Sequence, residues 1–375
     1  IATGWMQNPV GAEFNPMTMR MELTDVAAVI FNPVAQVKFV HTVAAGYVAA
    51  SLFVMGVSSW YLLRRMEVRF ALRSFAIASG FGLAAILSVI VLGDESGYRS
   101  GEVQKVKLAA IEAEWHTEPA PASFTLFGLP DQGDETTHGA IKIPYLMGII
   151  ATRSLDEQVT GLKDLKAQHE VRIRSGMLAY DALEALRSDG SNAEARATFE
   201  RHRADLGYGL LLTPHAKEIG KADESAIAKA VDDSIPQVAP LFWSFRLMVG
   251  IGVVLLGLFA AAFLQLCRGK LVQSPRLLKA LFWSIPLPWI AIEAGWFVAE
   301  FGRQPWTISD VLPVSASVSL LQPGQLWFSL ISIFLIYSTL LVVELFLLRH
   351  VIRKGPASLQ TGRYQGEVLK NGSPV

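Results

Sequence analysis

Five apolar segments, each long enough to cross a lipid bilayer, constrain the fold of this chain more than any other feature. They lie at about 39–63, 75–93, 240–267, 280–300 and 326–348. A hydrocarbon core of roughly 30 Å is crossed by about 20 predominantly apolar residues in a helix. The sequence therefore predicts an all-α integral membrane protein with five transmembrane helices.

The composition agrees with a membrane protein and argues against several other classes. Of the 375 residues, 51% are hydrophobic and 18% are charged, whereas soluble domains carry about 25% charged residues. The formal net charge of zero gives no indication of a nucleic-acid partner. A single cysteine, Cys267, cannot form an internal disulfide. Because the chain begins at Ile1, without an initiator methionine or a signal peptide, we expect it to be the C-terminal portion of a longer protein.

Basic residues cluster in three connections that lie on one side of the membrane if the five helices alternate. They are Arg64, Arg65, Arg69 and Arg73, then Arg268, Lys270, Arg276 and Lys279, and finally Arg349, Arg353 and Lys354. The positive-inside rule makes this side cytoplasmic. We therefore predict an extracytoplasmic lead-in (1–32), a helix pair (33–93), an extracytoplasmic loop (94–239), three membrane helices (240–350) and a cytoplasmic tail (351–375).

The 94–239 segment is too long and too polar to be a simple connection. Leu155, Val159, Leu162 and Leu165 recur at helical spacing and predict an amphipathic helix near 155–188. A second helix is predicted near 192–205, after a turn at 189–191. We expect a large, mostly helical extracytoplasmic domain between the second and third membrane helices.

His41 is the one histidine inside an apolar segment, where an imidazole usually faces the bundle interior and ligates, pairs or relays protons. Asn32 and Pro33 predict the start of its helix, and Pro240 predicts a similar start for the third span. His41 and Met248 each follow their proline by eight residues, so we expect them at similar depth. Imidazole and thioether can be the axial ligands of a low-spin haem b. The alternative is a packed histidine with a gap-filling methionine.

Two further groups of polar residues are candidates for chemistry. A buried Arg246, two residues before Met248, needs an anionic partner, either a haem propionate or a nearby carboxylate.

In the fourth span, prolines at 286 and 288 predict a kink. Beyond them, Glu293, Trp296 and Glu300 share a helical face. Carboxylates on a membrane helix suggest haem or metal ligands or proton carriers, unless Glu300 has already reached the outer surface.

The charged run after the second span has no such indication of function from its spacing. Its charged residues are Lys105, Lys107, Glu112 and Glu114. On spacing alone we interpret this run as the solvated face of a helix.

Several strings resemble subunit I of the cytochrome bd quinol oxidases, of the type with a long quinol-binding loop. They are GWMQNPVG (4–11), NPVAQ (32–36), KFVHT (38–42), GDESGY (93–98), QKVKLAAIEAEW (104–115), PLPW (286–289) and GRQPW (302–306). The resemblance extends through essentially the whole chain. It therefore implies a fold and a set of functional residues.

The resemblance implies two haem sites in this chain. A low-spin haem b would be held by His41 and Met248, with Arg246 beside it. A high-spin haem b would be ligated by Glu300, with Trp296 among the haems. The family also has N-terminal helices that carry the haem d histidine, and this chain lacks them. We therefore expect this polypeptide alone not to reduce oxygen.

The remaining implied roles concern quinol. Lys107 and Glu112 would take part in quinol oxidation, and Arg303 falls in the GRQPW signature. The implied enzyme oxidises quinol at the outer face of a bacterial inner membrane and passes electrons through low-spin haem b to high-spin haem b and haem d, which reduce oxygen to water. Its partners would be a second oxidase subunit, possible small single-helix subunits, ubiquinol or menaquinol, oxygen and lipid.

Two alternatives from other classes fit part of the pattern. A membrane sensor with a helical extracytoplasmic ligand-binding domain would explain the long loop. A transporter could use Glu293 and Glu300 for coupling. Neither explains the matched depth that we expect for His41 and Met248.

Overall fold

The computed structural model describes residues 2–154 and 156–355. The α-helices in these ranges are α1 (Ala2–Gln7), α2 (Val26–Ile30), α3 (Pro33–Leu63), α4 (Val68–Val103), α5 (Lys105–Glu112), α6 (Leu162–Ser188), α7 (Ala193–His202), α8 (Leu206–Leu210), α9 (Glu224–Asp233), α10 (Val238–Cys267), α11 (Pro275–Trp283), α12 (Leu287–Phe301) and α13 (Pro323–Lys354). The strands are β1 (Ala12–Asn15), β2 (Arg20–Leu23), β3 (Phe124–Asp131), β4 (Thr136–Ile143), β5 (Trp306–Ile308) and β6 (Leu312–Pro313), paired as three antiparallel hairpins.

Five helical segments are long and apolar enough to cross a membrane, as predicted. They are α2 with α3, α4, α9 with α10, α11 with α12, and α13. Helix α4 continues to Val103, about ten residues beyond its apolar segment. The structure is therefore an all-α membrane protein with a few short hairpins, and the predicted fold class is confirmed.

The helix starts that place the candidate haem ligands are only partly as predicted. The Asn32 side chain caps α3, accepting hydrogen bonds from the amides of Val34 (3.0 Å) and Ala35 (3.2 Å). Helix α10 begins at Val238, so Pro240 lies inside its first turn. A proline is tolerated there because the first amides of a helix have no intrahelical acceptor. The prediction that His41 and Met248 are equally far from the starts of their helices was therefore wrong by two residues.

The predicted kink in the fourth span is a complete break. Helix α11 ends at Trp283, and α12 begins at Leu287 after Pro286. The bundle core forms where α3 and α4 pack against each other and against α10 and α11. Its fully buried side chains include Leu52, Met55, Phe75 and Phe259. In contrast, α13 has no buried residue.

The segment between α4 and α10 is mostly helical, with one hairpin that the sequence did not predict. Strands β3 and β4 pair with Phe124 opposite Ile143 and Asp131 opposite Thr136. Helix α6 begins at Leu162 and not near 155, because Val159 pairs with Glu118 in a β-bridge. Residue 155 lies outside the described residues. The predicted turn at 189–191 and the helix that follows it are confirmed.

Helix α5 attaches the segment between α4 and α10 to the membrane bundle. Leu108 and Ile111 share a buried apolar cluster with Phe242 of α10 and Val298 of α12. The cluster fixes α5 across the N-terminal end of α10 and the C-terminal end of α12. The charged residues of α5 are thereby brought to the membrane helices.

Candidate functional site

The imidazole of His41 lies in the bundle interior beside Gly93 of α4. A Cβ atom at Gly93 would lie 3.5 Å from Cε1 of the ring, which is van der Waals contact. The Nδ1 atom of His41 is buried and has no hydrogen-bond partner among the described residues. Because a buried polar atom is rarely left unsatisfied, this nitrogen fits a site that a bound group completes.

Met248 lies on α10 against Gly295 of α12. A Cβ atom at Gly295 would be only 2.8 Å from Sδ of Met248, so the absence of a side chain there makes room for the thioether. Helices α4 and α12 each pack against both α3 and α10. The two candidate axial ligands, His41 and Met248, therefore lie on two helices joined by the same pair of neighbours.

The partner of Arg246 is a carboxylate of this chain. Its guanidinium donates to Oε2 of Glu112 at 3.1 Å and to the carbonyl oxygens of Ile111, Phe242 and Thr125. The guanidinium carbon also lies 3.4 Å from the ring centre of Phe242. The sequence left two anionic partners open for Arg246, a haem propionate or a nearby carboxylate. The structure shows that the Glu112 carboxylate contacts Arg246. This pair ties α5 to the turn of α10 that precedes Met248.

Glu112 is only 2% exposed, so the prediction that it lies on a solvated face was wrong. Its Oε2 atom accepts from the amide of Thr125 at 3.2 Å as well as from Arg246. Burial raises the pKa of Glu112 to about 7, against the opposing effects of Arg246 and the Thr125 amide. The carboxyl therefore changes its protonation state near neutral pH, as a general base should.

Lys107 is equally buried, at 4% exposure, on another side of the same helix. Its Nζ atom donates to Oε1 of Gln104 (2.8 Å), to Oε1 of Gln7 (2.9 Å) and to the carbonyl of Ala299 (3.2 Å). Burial lowers the pKa of Lys107 well below its usual value, and the positive charge of Lys38 acts in the same direction. The solvated-face interpretation thus fails for Lys107, Glu112 and Glu114, which are buried, whereas Lys105 at the start of α5 is exposed as predicted.

Glu300 and Arg303 form an ion pair at the C-terminal end of α12. Nη2 of Arg303 lies 2.6 Å from Oε2 of Glu300, and the side chains of Arg303 and Glu300 are 10% and 27% exposed. The other carboxylate oxygen, Oε1 of Glu300, is buried without a hydrogen-bond partner among the described residues, as are Nε and Nη1 of Arg303. One oxygen of the Glu300 carboxylate is therefore shielded from solvent and free to bind a ligand.

Five side chains form one cluster, called here the buried polar cluster: Gln7 and Lys107 are buried, and Lys38, Glu300 and Arg303 are half-buried. Gln7 accepts hydrogen bonds from both lysines through Oε1, while its Nε2 has no hydrogen-bond partner among the described residues. The cluster holds three cationic side chains and one carboxylate. Buried charges are normally paired, so the excess of positive charge fits an anionic group with several acceptor atoms.

Sequence reasoning missed Gln7 and Lys38 in this cluster. Lys38 had a visible signal, because it lies three residues before His41 in the same membrane helix. A lysine there is as costly as a histidine. Gln7 had no such signal, since its role depends on a contact with Lys107, one hundred residues further along the chain.

A cleft of about 240 Å³ lies between the buried polar cluster and the segment between α4 and α10. Lys107 and Arg303 line it, together with His169, Arg172 and Tyr208. The guanidinium carbon of Arg172 lies 3.9 Å from the ring centre of Tyr208. Burial lowers the pKa of His169 to about 4, so this imidazole is neutral at physiological pH. The cleft is large enough for a small aromatic ring.

The other two candidates on α12 make no hydrogen bond or ion pair with this cluster among the described residues. Trp296 is 57% exposed, and Glu293 is exposed as well. Spacings of three and four residues in a continuous helix put them on the face of Glu300, as predicted. The described residues leave this face largely uncovered.

Comparison with known proteins identifies the family. A family model described as cytochrome bd terminal oxidase subunit I matches residues 1–356. Cytochrome bd-II ubiquinol oxidase subunit 1 of Escherichia coli is 49% identical over 360 residues, which cover 96% of this chain and 70% of that protein. Cytochrome bd ubiquinol oxidase subunit 1 of Bacillus subtilis is 32% identical over 356 residues, which cover 94% of this chain and 64% of that protein.

A solved structure agrees at the level of the fold. The bd oxidase from Geobacillus thermodenitrificans matches with a TM-score of 0.69 and 23% identity, covering 95% of this chain and 66% of that one. The chain thus spans about two thirds of the length of the proteins that it matches. These matches do not favour the membrane sensor or the transporter considered above. The chain belongs to the cytochrome bd terminal oxidase subunit I family.

Proposed function

We propose that this chain is the haem-binding subunit of a bacterial quinol:oxygen oxidoreductase and that it works within a larger complex. Haem b and haem d are the cofactors of the family to which it belongs. The observation that carries the proposal is the set of buried polar atoms on His41, Glu300 and Arg303 that have no hydrogen-bond partner among the described residues. The family resemblance of the sequence motifs implies haem ligation by His41 and Glu300.

His41 and Met248 would hold the low-spin haem b. The unsatisfied imidazole and the thioether of Met248 supply a suitable donor set. When bound, such a haem transfers single electrons, and a thioether ligand raises its reduction potential. The protein would contribute the two ligands and the space that Gly93 and Gly295 leave between the helices.

The buried polar cluster would hold the high-spin haem b. Glu300 offers a free carboxylate oxygen for the iron. The haem propionates are negatively charged, and Arg303, Lys38 and Lys107 would balance that charge. The cluster has more cations than carboxylates, so it has positive charge available for this role. Trp296, exposed on the same helical face, would pack among the haems. The ligand of haem d would come from a part of the enzyme outside this chain.

Quinol oxidation would take place around α5. Oxidation of one quinol releases two electrons and two protons, and Glu112 would accept one of these protons. Its pKa of about 7 makes it an effective acceptor near neutral pH. Lys107 lines the outward cleft, where its amine would position the quinol ring.

The ion pair with Arg246 links the proton acceptor to the low-spin haem site. Arg246 lies two residues before Met248 on α10, while its guanidinium contacts Glu112. Protonation of Glu112 would therefore change the electrostatic potential beside the low-spin haem, which accepts the electron. Quinol oxidation outside, combined with proton uptake from inside for oxygen reduction, would build a proton gradient without a pump.

The proposed setting follows from this function. The outer segment between α4 and α10 would face the periplasm or cell exterior, since the basic connections favour the cytoplasm. The chain would assemble with a second oxidase subunit, and a small single-helix subunit could join them. Its substrates would be ubiquinol or menaquinol and oxygen, and lipid would surround the helices.

The test compares two carboxylates of α12 in the complete oxidase. Glu300→Gln should remove the high-spin haem b signal from the reduced-minus-oxidised spectrum and lower quinol-dependent oxygen consumption more than a hundredfold. Glu293→Gln is the matched control, because Glu293 is exposed on the same helix, and it should leave the haem content unchanged. The low-spin band reports whether the variant is assembled. A Glu300→Gln enzyme with its full high-spin haem content would contradict the proposal.

A further inference from the structure

A second groove lies at the opposite end of the bundle from the buried polar cluster. It has a volume of about 300 Å³ and is formed by the ends of α3, α11 and α13 that meet the basic connections. Its apolar wall includes Trp60, Phe282 and Ile285, which are all half-buried. Its rim carries three exposed arginines, Arg64, Arg349 and Arg353. The groove is thus apolar on the side of the bilayer core and cationic at the membrane surface.

The walls of the groove are held in place by specific contacts. The hydroxyl of Tyr61, a buried residue of α3, donates to the carbonyl of Ile352 in α13 at 2.6 Å. The guanidinium carbon of Arg64 lies 4.6 Å from the ring centre of Trp60, within cation–π distance. These contacts hold Arg64 over the wall and fix the end of α13 that carries Arg349 and Arg353.

The three arginines have no acidic partner in the part of the chain that the structure describes. Each ion pair found in residues 2–154 and 156–355 involves other cations. Glu67 is the one acidic residue in the connection between α3 and α4, and it makes no ion pair with Arg64. Three positive charges therefore converge on one apolar groove without a protein counter-charge.

We propose that this groove binds the headgroup of an anionic phospholipid. Basic pockets between membrane helices on the cytoplasmic side suit such headgroups, and arginine makes strong, often bidentate hydrogen bonds to phosphate. The apolar wall would receive the start of the acyl chains, which a free phosphate ion lacks. The uncompensated charge of the rim favours an anionic lipid over a zwitterionic one. This inference rests on the membrane fold and does not require the proposed haem or quinol sites.

The experiment uses the purified complete oxidase, delipidated in detergent, and measures its melting temperature as lipid is added. Phosphatidylglycerol should raise the melting temperature in proportion to occupancy, and phosphatidylcholine or inorganic phosphate at equal concentration should have little effect. The test variant replaces Arg64, Arg349 and Arg353 with Gln. It should need at least tenfold more phosphatidylglycerol for half of the effect.

The matched control replaces the same number of cations on the same side of the bundle, outside the groove. Arg65→Gln, Arg69→Gln and Arg276→Gln together should leave the phosphatidylglycerol titration unchanged. Equal titrations of the test and control variants would overturn the proposal, as would equal stabilisation by inorganic phosphate or phosphatidylcholine. If the triple variant does not assemble, Arg349→Gln alone should still shift the midpoint severalfold, and an unshifted midpoint would count against the site.

Discussion

The pKa of Glu112 leads to a sharp prediction about the pH dependence of quinol turnover. Glu112 lies in a buried position where its ionised form has two donors, Arg246 and the Thr125 amide, yet desolvation still dominates. If the carboxylate accepts a quinol proton, only the ionised fraction of the enzyme is active. Turnover should therefore rise with pH and level off above the pKa.

The expected size of this effect follows from the pKa of about 7. About a tenth of the carboxyl groups would be ionised at pH 6 and about nine tenths at pH 8, so turnover should rise nearly tenfold between them. Glu112→Gln keeps an acceptor oxygen for Arg246 and Thr125 but cannot take a proton. Its turnover should be low, at or below the wild-type value at pH 6, and independent of pH over this interval.

The same shift predicts a change in stability with a definite sign. Because the folded pKa is raised from 4.5 to about 7, the contribution of Glu112 to folding is fully present below pH 4.5 and is lost as the pH rises through 7. A shift of this size corresponds to roughly 3 kcal/mol. The Gln variant should lose this part of the pH dependence, which a thermal melt of the complete oxidase at several pH values would show.

Glu114→Gln is the matched control for the turnover measurement. Glu114 is also buried and has a raised pKa, but its ion-pair partner is Lys142 at 3.1 Å on the hairpin. It should retain the tenfold rise in quinol turnover. A Glu112→Gln enzyme that keeps the wild-type pH profile would refute the role of this carboxyl as proton acceptor.

Two further substitutions test neighbouring parts of the site. Gly295→Ala would put a Cβ 2.8 Å from Sδ of Met248, well inside the usual contact distance of about 3.5–4 Å, so the low-spin haem band should weaken. Gly252→Ala is the control, because a Cβ there has nothing within 4 Å, and it should leave the band unchanged. Lys107→Met should preserve assembly, because a buried charge is removed, but should raise the KM for quinol at least tenfold. An unchanged band in the first variant, or an unchanged KM in the second, would contradict the corresponding assignment.

The membrane helices could be predicted from sequence because their signal is local. Apolar length identified the five spans, and the proline at 286 identified the break between α11 and α12. The cap at Asn32 was also readable, since it needs only the residues that follow it. The start of α10 was predicted two residues too late from Pro240, because a proline can occupy any position of the first turn of a helix.

The burial of α5 could not be predicted from its own residues. Its charges have the spacing of a solvated helix, and their partners come from distant parts of the chain. Lys107 contacts Gln7 across a separation of 100 residues, and Glu112 contacts Arg246 across 134 residues. The family resemblance implied a functional role for both, but only the tertiary structure shows that Lys107 lies with Glu300 and Arg303 and that Glu112 pairs with Arg246.

The most direct test of the central claim is the reduced-minus-oxidised absorbance spectrum of the complete oxidase carrying His41→Ala. His350→Ala, at an exposed position near the end of α13, is the matched histidine control. The account predicts that His41→Ala abolishes the low-spin haem b band while the high-spin haem bands persist, and that the control spectrum is unchanged. A low-spin band of wild-type intensity in the His41→Ala enzyme would contradict it.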